Sequence, residues 1–480
     1  MIEAPFETEI SHWIWDSRYR YRVDGVVRDV RIEDSWRRVA RALAGVEADR
    51  PQHWERVFFE LLADFRFLPG GRILAGAGTG FDVTLFNCFV MGRIEDSMEG
   101  IFDALKEGAL TMQQGGGVGY DFSTLRPAGT PAWRVGGVAS GPVSFMRIWD
   151  SMCQTLLSTA TRRGAMMATL RCDHPDIETF ISAKHRPGEL RNFNLSVLVS
   201  DAFMQAVEDD IAWKLVFPAE GLGGDAHRAG RELVQRQWPG HEGAVPCLVL
   251  RELPARDLWE KIMRANYQNA EPGVLFIDRI NHLNNLGYRE QIGATNPCGE
   301  IPLPPYGACN LGSINLTAFV RQPFGTDSRI DLDGIGETAV RAVRLLDNVI
   351  DLSRFPLPMQ AEQARGSRRI GLGVTGLADA LIMLGLHYGS ERARQLAAAT
   401  MRTICHSAYR ASIELAAEKG SFPFFDADEF LRRPFVRRLP DDIQQGIAAE
   451  GLRNSHLTAI APTGTISLLA NNVSSGIEPV

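Results

Sequence analysis

Asn296, Cys298 and Glu300 stand two residues apart in the stretch "NPCGE". A thiol flanked by a carboxamide and a carboxylate has the parts of a reaction centre. Sulfur reacts, the carboxylate takes a proton, and the amide orients its neighbours. Pro297 biases Asn296 toward extended backbone. In an extended segment side chains two apart share a face, so the spacing predicts three groups projecting into one space. The alternative is a turn with a capping Asn and a solvated Glu. No histidine is near in sequence, so a cysteine-protease dyad would need a distant one. Cys309 follows in "ACNLGSINL", and a second thiol so close suggests redox work.

Three other stretches could bind phosphate. "APTGTIS", 461–467, follows a strand-like run at Leu457–Ala461 and opens a short helix. Backbone N–H groups of Thr463, Gly464 and Thr465, with the threonine hydroxyls, would cradle a phosphate there or simply cap the helix. In "TRRGAMMATLRC", Arg163 beside Gly164 could reach a phosphate or a base, although a solvated loop is the plainer reading. "GLGVTG", 371–376, matches the GxGxxG pattern literally. Only "RRI" precedes it, and the helical "ERARQLAAAT" stands where a second strand ending in an acidic residue is required, so a dinucleotide site is not expected.

These groups need a scaffold. Residues 1–68 read as a helical region, with apolar spacing in "WRRVARALAGVE" and "WERVFFELLADF". The glycine-rich "FLPGGRILAGAGTG" breaks that pattern. Short apolar runs then alternate with amphipathic helices, which points to an α/β fold with mainly parallel strands. Ala339, Val343, Leu346 and Ile350 share one helical face, and Gly420 is placed to end a helix over "ATMRTICHSAYRASIELAAEKG". The composition is that of a globular chain: 480 residues, 23% charged, net charge −7, which argues against a nucleic-acid partner. No apolar run has the length of a membrane span or a signal peptide. Seven scattered cysteines without a CxxC argue against a metal site and fit a reducing cytoplasm.

Taken together, "LPGGRILAGAGTG", "FNCFV", "GGGVGYDFSTLRPAG", "RRGAMMATL", "NPCGEIPLPPYGACNLGSINL", "GLGVTGLADAL" and "APTGTISLLANNVSSGIEPV" resemble, in order, the catalytic subunit of ribonucleotide reductases, most closely the adenosylcobalamin-dependent class II kind. The resemblance implies a ten-stranded α/β barrel of the ribonucleotide reductase/glycyl-radical type over residues 69–480, two five-stranded halves with a finger loop between them. Cys298 at the finger tip would be the transient thiyl radical that takes the ribose 3′-hydrogen. Glu300 would accept the 3′-hydroxyl proton, and Asn296 would hold the hydroxyls. Cys88 and Cys309 would be the pair that reduces the 2′ position and ends as a disulfide. Ala461, Pro462, Thr463, Gly464 and Thr465 would grip the substrate phosphates, with Gly71 and Arg163 nearby. Asp96 and Arg126 match positions that contact a deoxynucleotide effector; a plain surface ion pair is the alternative. The implied partners are a ribonucleoside di- or triphosphate, that effector, a second copy in a homodimer, and a thioredoxin- or glutaredoxin-type reductant.

The chain departs from the family pattern at three places. Gly71 stands where many relatives carry Ser or Thr, no nucleotide-binding cone precedes the barrel, and the family continues past "GIEPV" with the last part of the barrel and a cysteine-bearing tail. A split enzyme, with a second chain supplying that part, or a truncated form is therefore expected. Two rival readings stay open: a class I large subunit served by a metal radical subunit, and a non-catalytic nucleotide-binding or assembly subunit.

Overall fold

Helices form where the apolar spacing places them. The computed structural model describes residues 5–132, 137–156, 164–186, 188–222 and 230–480, without the side chains of Ala132 and Cys309. Ile32–Ala44 and Pro51–Leu62 are the two principal helices of the N-terminal region. Leu332–Leu352 is a 21-residue helix. Its Ala339, Val343, Leu346 and Ile350 are fully buried on one face. Glu391–Lys419 runs up to Gly420, which takes φ 82° and ends it.

The chain forms two units, residues 1–87 with 308–480, and residues 88–307. In the first, Ala308–Asn315 pairs in parallel with Ile370–Thr375, from Asn310↔Ile370 to Asn315↔Thr375. Phe67–Pro69 runs antiparallel along Ala308–Asn315. The run at Leu457–Ala461 makes a single parallel bridge, Thr458 to Leu372. The GxGxxG match turns out to be the strand Ile370–Thr375 itself, all six residues buried. Gly371 and Gly373 lie inside that strand and Gly376 follows it at the start of the helix Leu377–Met383, all three buried.

In the second unit five strands run parallel side by side: Gly273–Phe276, Phe193–Val199, Met166–Arg171, Gly117–Asp121 and Cys88–Val90, in that spatial order. Parallel neighbours need long crossovers, and helices such as Met98–Gln113 and Pro142–Thr155 supply them. "MMATL" is buried throughout, as a strand covered on both faces must be. An antiparallel insert, Ala212–Pro218, Ala244–Pro254 and Leu233–Gln237, carries its own small core around Phe217, Trp238 and Leu248. Among the described residues no helix is long and apolar enough to cross a membrane.

Candidate active site

The "NPCGE" stretch is the tip of a hairpin in the second unit. Ala294–Thr295 and Pro302–Leu303 pair antiparallel, and the tip closes between them. Asn296 N–H donates to the Ile301 carbonyl at 3.2 Å, and Gly299 N–H donates to the Asn296 carbonyl at 3.0 Å. Gly299 takes φ 86°, which a side chain would resist. The extended conformation expected from Pro297 is thus wrong for 297–300: a tight turn, not strand alternation, brings the polar groups together.

Asn296 is fully buried, with its side chain hydrogen-bonded to three neighbours. Its Nδ2 donates to Glu300 Oε2 at 2.6 Å and to Cys88 Sγ at 3.2 Å, while its Oδ1 accepts from Ile301 N–H at 3.0 Å. Both amide hydrogens are therefore spoken for, one by the carboxylate and one by the thiol. Burial pushes the Glu300 carboxyl above its usual range, and the Asn296 hydrogen bond opposes the shift. A carboxylate of raised basicity, held by a fixed amide, is suited to accepting a proton. Cys88 is buried at the start of its strand, whereas Cys298 is exposed at the tip.

The hairpin is fixed along its ascending leg. Asn281 exchanges two hydrogen bonds with Ile292, at 2.8 and 2.9 Å, and Thr169 Oγ1 donates to the Gly293 carbonyl at 3.1 Å. Asn194 Nδ2 donates to the Pro297 carbonyl at 2.6 Å. Sequence reasoning missed Asn194; an asparagine, poorly suited to strands, inside the apolar "FNLSVLV" was the available signal. The Thr295 carbonyl lies so close to Gly119 that a Cβ there would fall 1.9 Å from it. Gly119→Ala is therefore expected to destabilise the second unit by roughly 1–3 kcal/mol, the scale of overpacking, read as a lower urea midpoint. A variant as stable as the parent would mean that the hairpin does not seat on this strand.

The remaining predicted residues divide. Arg126 donates through Nε to Asp96 Oδ2 at 2.7 Å and through its backbone N–H to Asp96 Oδ1 at 3.2 Å. They form a partly exposed ion pair, and Asp96 lines a cleft of about 220 Å³ with Thr124, Trp238 and His241. In the first unit Gly71 opens the helix Gly71–Gly76. A Cβ on Gly71 would lie 3.1 Å from the Tyr19 hydroxyl, so a Ser or Thr would crowd the tyrosine. Ala461 is buried, Pro462 exposed, and the helix Gly464–Leu469 follows. Its first N–H groups, Gly464 and Thr465 among them, have no acceptor within the helix. Thr463 corrects one expectation: its hydroxyl accepts from Gly476 N–H at 2.7 Å and lies 3.0 Å from the Thr375 hydroxyl. That hydroxyl holds the turn. Cys309 lies in the strand Ala308–Asn315, with its side chain outside the described residues, and Arg163 is outside them altogether. Among the described residues no group of three or more His, Cys, Asp or Glu could hold a metal ion.

Comparison with known proteins adds a family. "Ribonucleotide reductase, barrel domain" matches residues 86–480, and "Ribonucleotide reductase, all-alpha domain" matches residues 5–82. A vitamin B12-dependent ribonucleoside-diphosphate reductase of Mycobacterium tuberculosis is 42% identical over 94% of this chain and 58% of its own length. One from Thermoplasma acidophilum is 38% identical over 89% of this chain and 50% of its own. A ribonucleoside-diphosphate reductase subunit alpha of Chlamydia muridarum is 28% identical over 92% of this chain and 44% of its own. The chain thus spans about half the length of the curated relatives it matches.

Proposed function

We propose, for a chain that belongs to the ribonucleotide reductase family, that it carries catalytic machinery for thiyl-radical reduction of ribonucleoside diphosphates or triphosphates to 2′-deoxyribonucleotides. One observation carries the reading: the Asn296 amide ties the Glu300 carboxylate and the Cys88 thiol to the turn that presents Cys298. The names of the B12-dependent relatives support adenosylcobalamin as cofactor. An exposed thiol on a rigid turn fits such a group, because the group must reach the sulfur from outside the hairpin. When bound, adenosylcobalamin would supply the radical chemistry that activates Cys298.

The chain's own residues then divide the work. Cys298 takes the 3′-hydrogen of the ribose, and Glu300, made more basic by burial, accepts the 3′-hydroxyl proton. Asn296 keeps that carboxylate aimed. The 2′-hydroxyl leaves as water. Cys88 and Cys309 deliver two electrons and the replacing hydrogen and become a disulfide, and Cys298 returns its hydrogen to C3′. The sum is one ribonucleotide and one dithiol to one deoxynucleotide, one disulfide and water.

The same reading assigns the phosphates to the backbone of Ala461–Thr465, with Gly71 and Arg163, and the deoxynucleotide effector to Asp96 and Arg126. Residues 1–68 form the helical region ahead of a ten-stranded barrel; the five parallel strands of the second unit support one of its two halves. A thioredoxin- or glutaredoxin-type protein restores the dithiol in the cytoplasm. Exposed Met98, Phe102 and Leu110 on the Met98–Gln113 helix support a homodimer. The test combines the chain and the remainder of the enzyme with ribonucleotide, effector, dithiol and adenosylcobalamin. Deoxynucleotide is expected only when adenosylcobalamin is present; product formed equally well without it removes the cobalamin assignment.

A further inference from the structure

The descending leg of the hairpin is held by a fixture that none of the assigned roles uses. Tyr306 takes φ 60°, a left-handed conformation uncommon for a bulky side chain. Such backbone persists only where the surroundings over-determine it. Here they do. The Tyr306 hydroxyl donates to Glu107 on the Met98–Gln113 helix, 3.1 Å to Oε2 and 3.4 Å to Oε1. A Cβ on Gly92 would fall 2.2 Å from the Tyr306 hydroxyl oxygen, so the phenol occupies space that only a glycine leaves. One residue beyond Glu107, Gly108 makes the same allowance for Tyr120, whose hydroxyl would lie 1.8 Å from a Cβ and donates to the Ala104 carbonyl at 3.2 Å.

Burial raises the Glu107 carboxyl and the Tyr306 hydrogen bond opposes the shift. Burial and the neighbouring Glu107 charge push Tyr306 to about 12, so it stays a donor at neutral pH. At the next residue, Val90 N–H donates to the Gly307 carbonyl at 2.9 Å.

We propose that the Glu107–Tyr306 hydrogen bond is the fixture by which the Met98–Gln113 helix holds the descending leg, making both residues positioning residues for the Cys298 turn. The route is short. Pro302–Leu303 pairs with Ala294–Thr295, and Ile301 is bonded to Asn296 by both its N–H and its carbonyl. A shift of the leg therefore shifts Asn296 and the groups it orients. The importance of the fixture rests on Cys298 being the reacting residue, but its existence does not.

Hydrogen exchange read by mass spectrometry on peptides within 292–307 of the full chain tests it without turnover. Tyr306→Phe and Glu107→Ala are each expected to speed exchange there by roughly tenfold, the scale of one hydrogen bond to a charged group. The double variant should exchange no faster than either single one, because both remove the same bond. Glu107→Gln, whose amide oxygen still accepts, should stay near the parent. Unchanged exchange in Tyr306→Phe, additive effects in the double variant, failure of Glu107→Gln to rescue, or loss of protection spread evenly over the chain would each overturn the proposal. An inactive hairpin chemistry would leave all these exchange results standing, so the two readings fail separately.

Discussion

Cys298→Ala is expected to abolish deoxynucleotide formation in the complemented enzyme, a loss on the order of 10⁴-fold or more, as when a residue that forms the reacting bond is removed. Folding should be untouched. The side chain is exposed at a turn, where the loss of one sulfur is worth within about 0.5 kcal/mol. Cys88→Ser and Cys309→Ser should differ in kind: they leave Cys298 to start the reaction but remove one thiol of the reducing pair, so turnover driven by a dithiol stops. Glu300→Gln should cost roughly 10²–10⁴-fold, the range of general base catalysis. In the parent, the rate should fall as pH drops through a carboxyl pKa above the ordinary value, because burial favours the protonated acid and only the carboxylate accepts a proton. An acid limb at or below the ordinary glutamate value would mean another group is the base. Activity surviving in Cys298→Ala would end the radical assignment.

The structure joins Asn296 to Glu300 through a geometry other than the one their spacing predicts. Residue types and spacing single out Asn296, Cys298 and Glu300, yet strand alternation is not what joins Asn296 to Glu300; a left-handed Gly299 and a cross-turn amide are. Nothing local announces that the Thr295 carbonyl seats on Gly119, or that Asn194 holds the Pro297 carbonyl. Those are contacts between a hairpin and a distant sheet, and residue spacing carries no record of them. Cys88 is 208 positions from Asn296 and came from family resemblance, not from any periodicity. The helix Leu332–Leu352 was legible because its apolar face repeats every three or four residues. The same helix hides what the pattern cannot show: Arg344 looks like a solvent residue and is buried, with partners in the N-terminal region and on the Glu391–Lys419 helix.

That buried arginine sets up the largest expected stability effect. Arg344 Nε and Nη2 each donate to Glu47 at 2.8 Å, Nη1 donates to Glu418 at 2.7 Å, and the guanidinium lies 3.8 Å from the centre of the Trp54 ring. Lys419 and Asn348 reach Glu47 Oε1 at 3.0 and 2.8 Å. Glu47 is 6% exposed, so its charge depends on these partners. Arg344→Ala should lower stability by roughly 3–5 kcal/mol, the cost of leaving a buried charge short of its partner. Glu418→Gln, on a half-exposed side chain, should cost no more than about 1 kcal/mol. The acid response gives a second check. Burial pushes the Glu47 carboxyl up, but hydrogen bonds from Arg344, Asn348 and Lys419 outweigh it and hold the pKa down to about 2. A depressed carboxyl stabilises the folded chain above its unfolded pKa, and that contribution is lost as pH falls toward about 2. Without Arg344 the folded pKa rises, so the variant should lose less stability than the parent on acidification from neutral pH to pH 2, while being weaker at neutral pH. Urea midpoints measured across that range decide the matter: a parallel offset at every pH would show that Arg344 acts through its packing on Trp54 and not through the carboxylate.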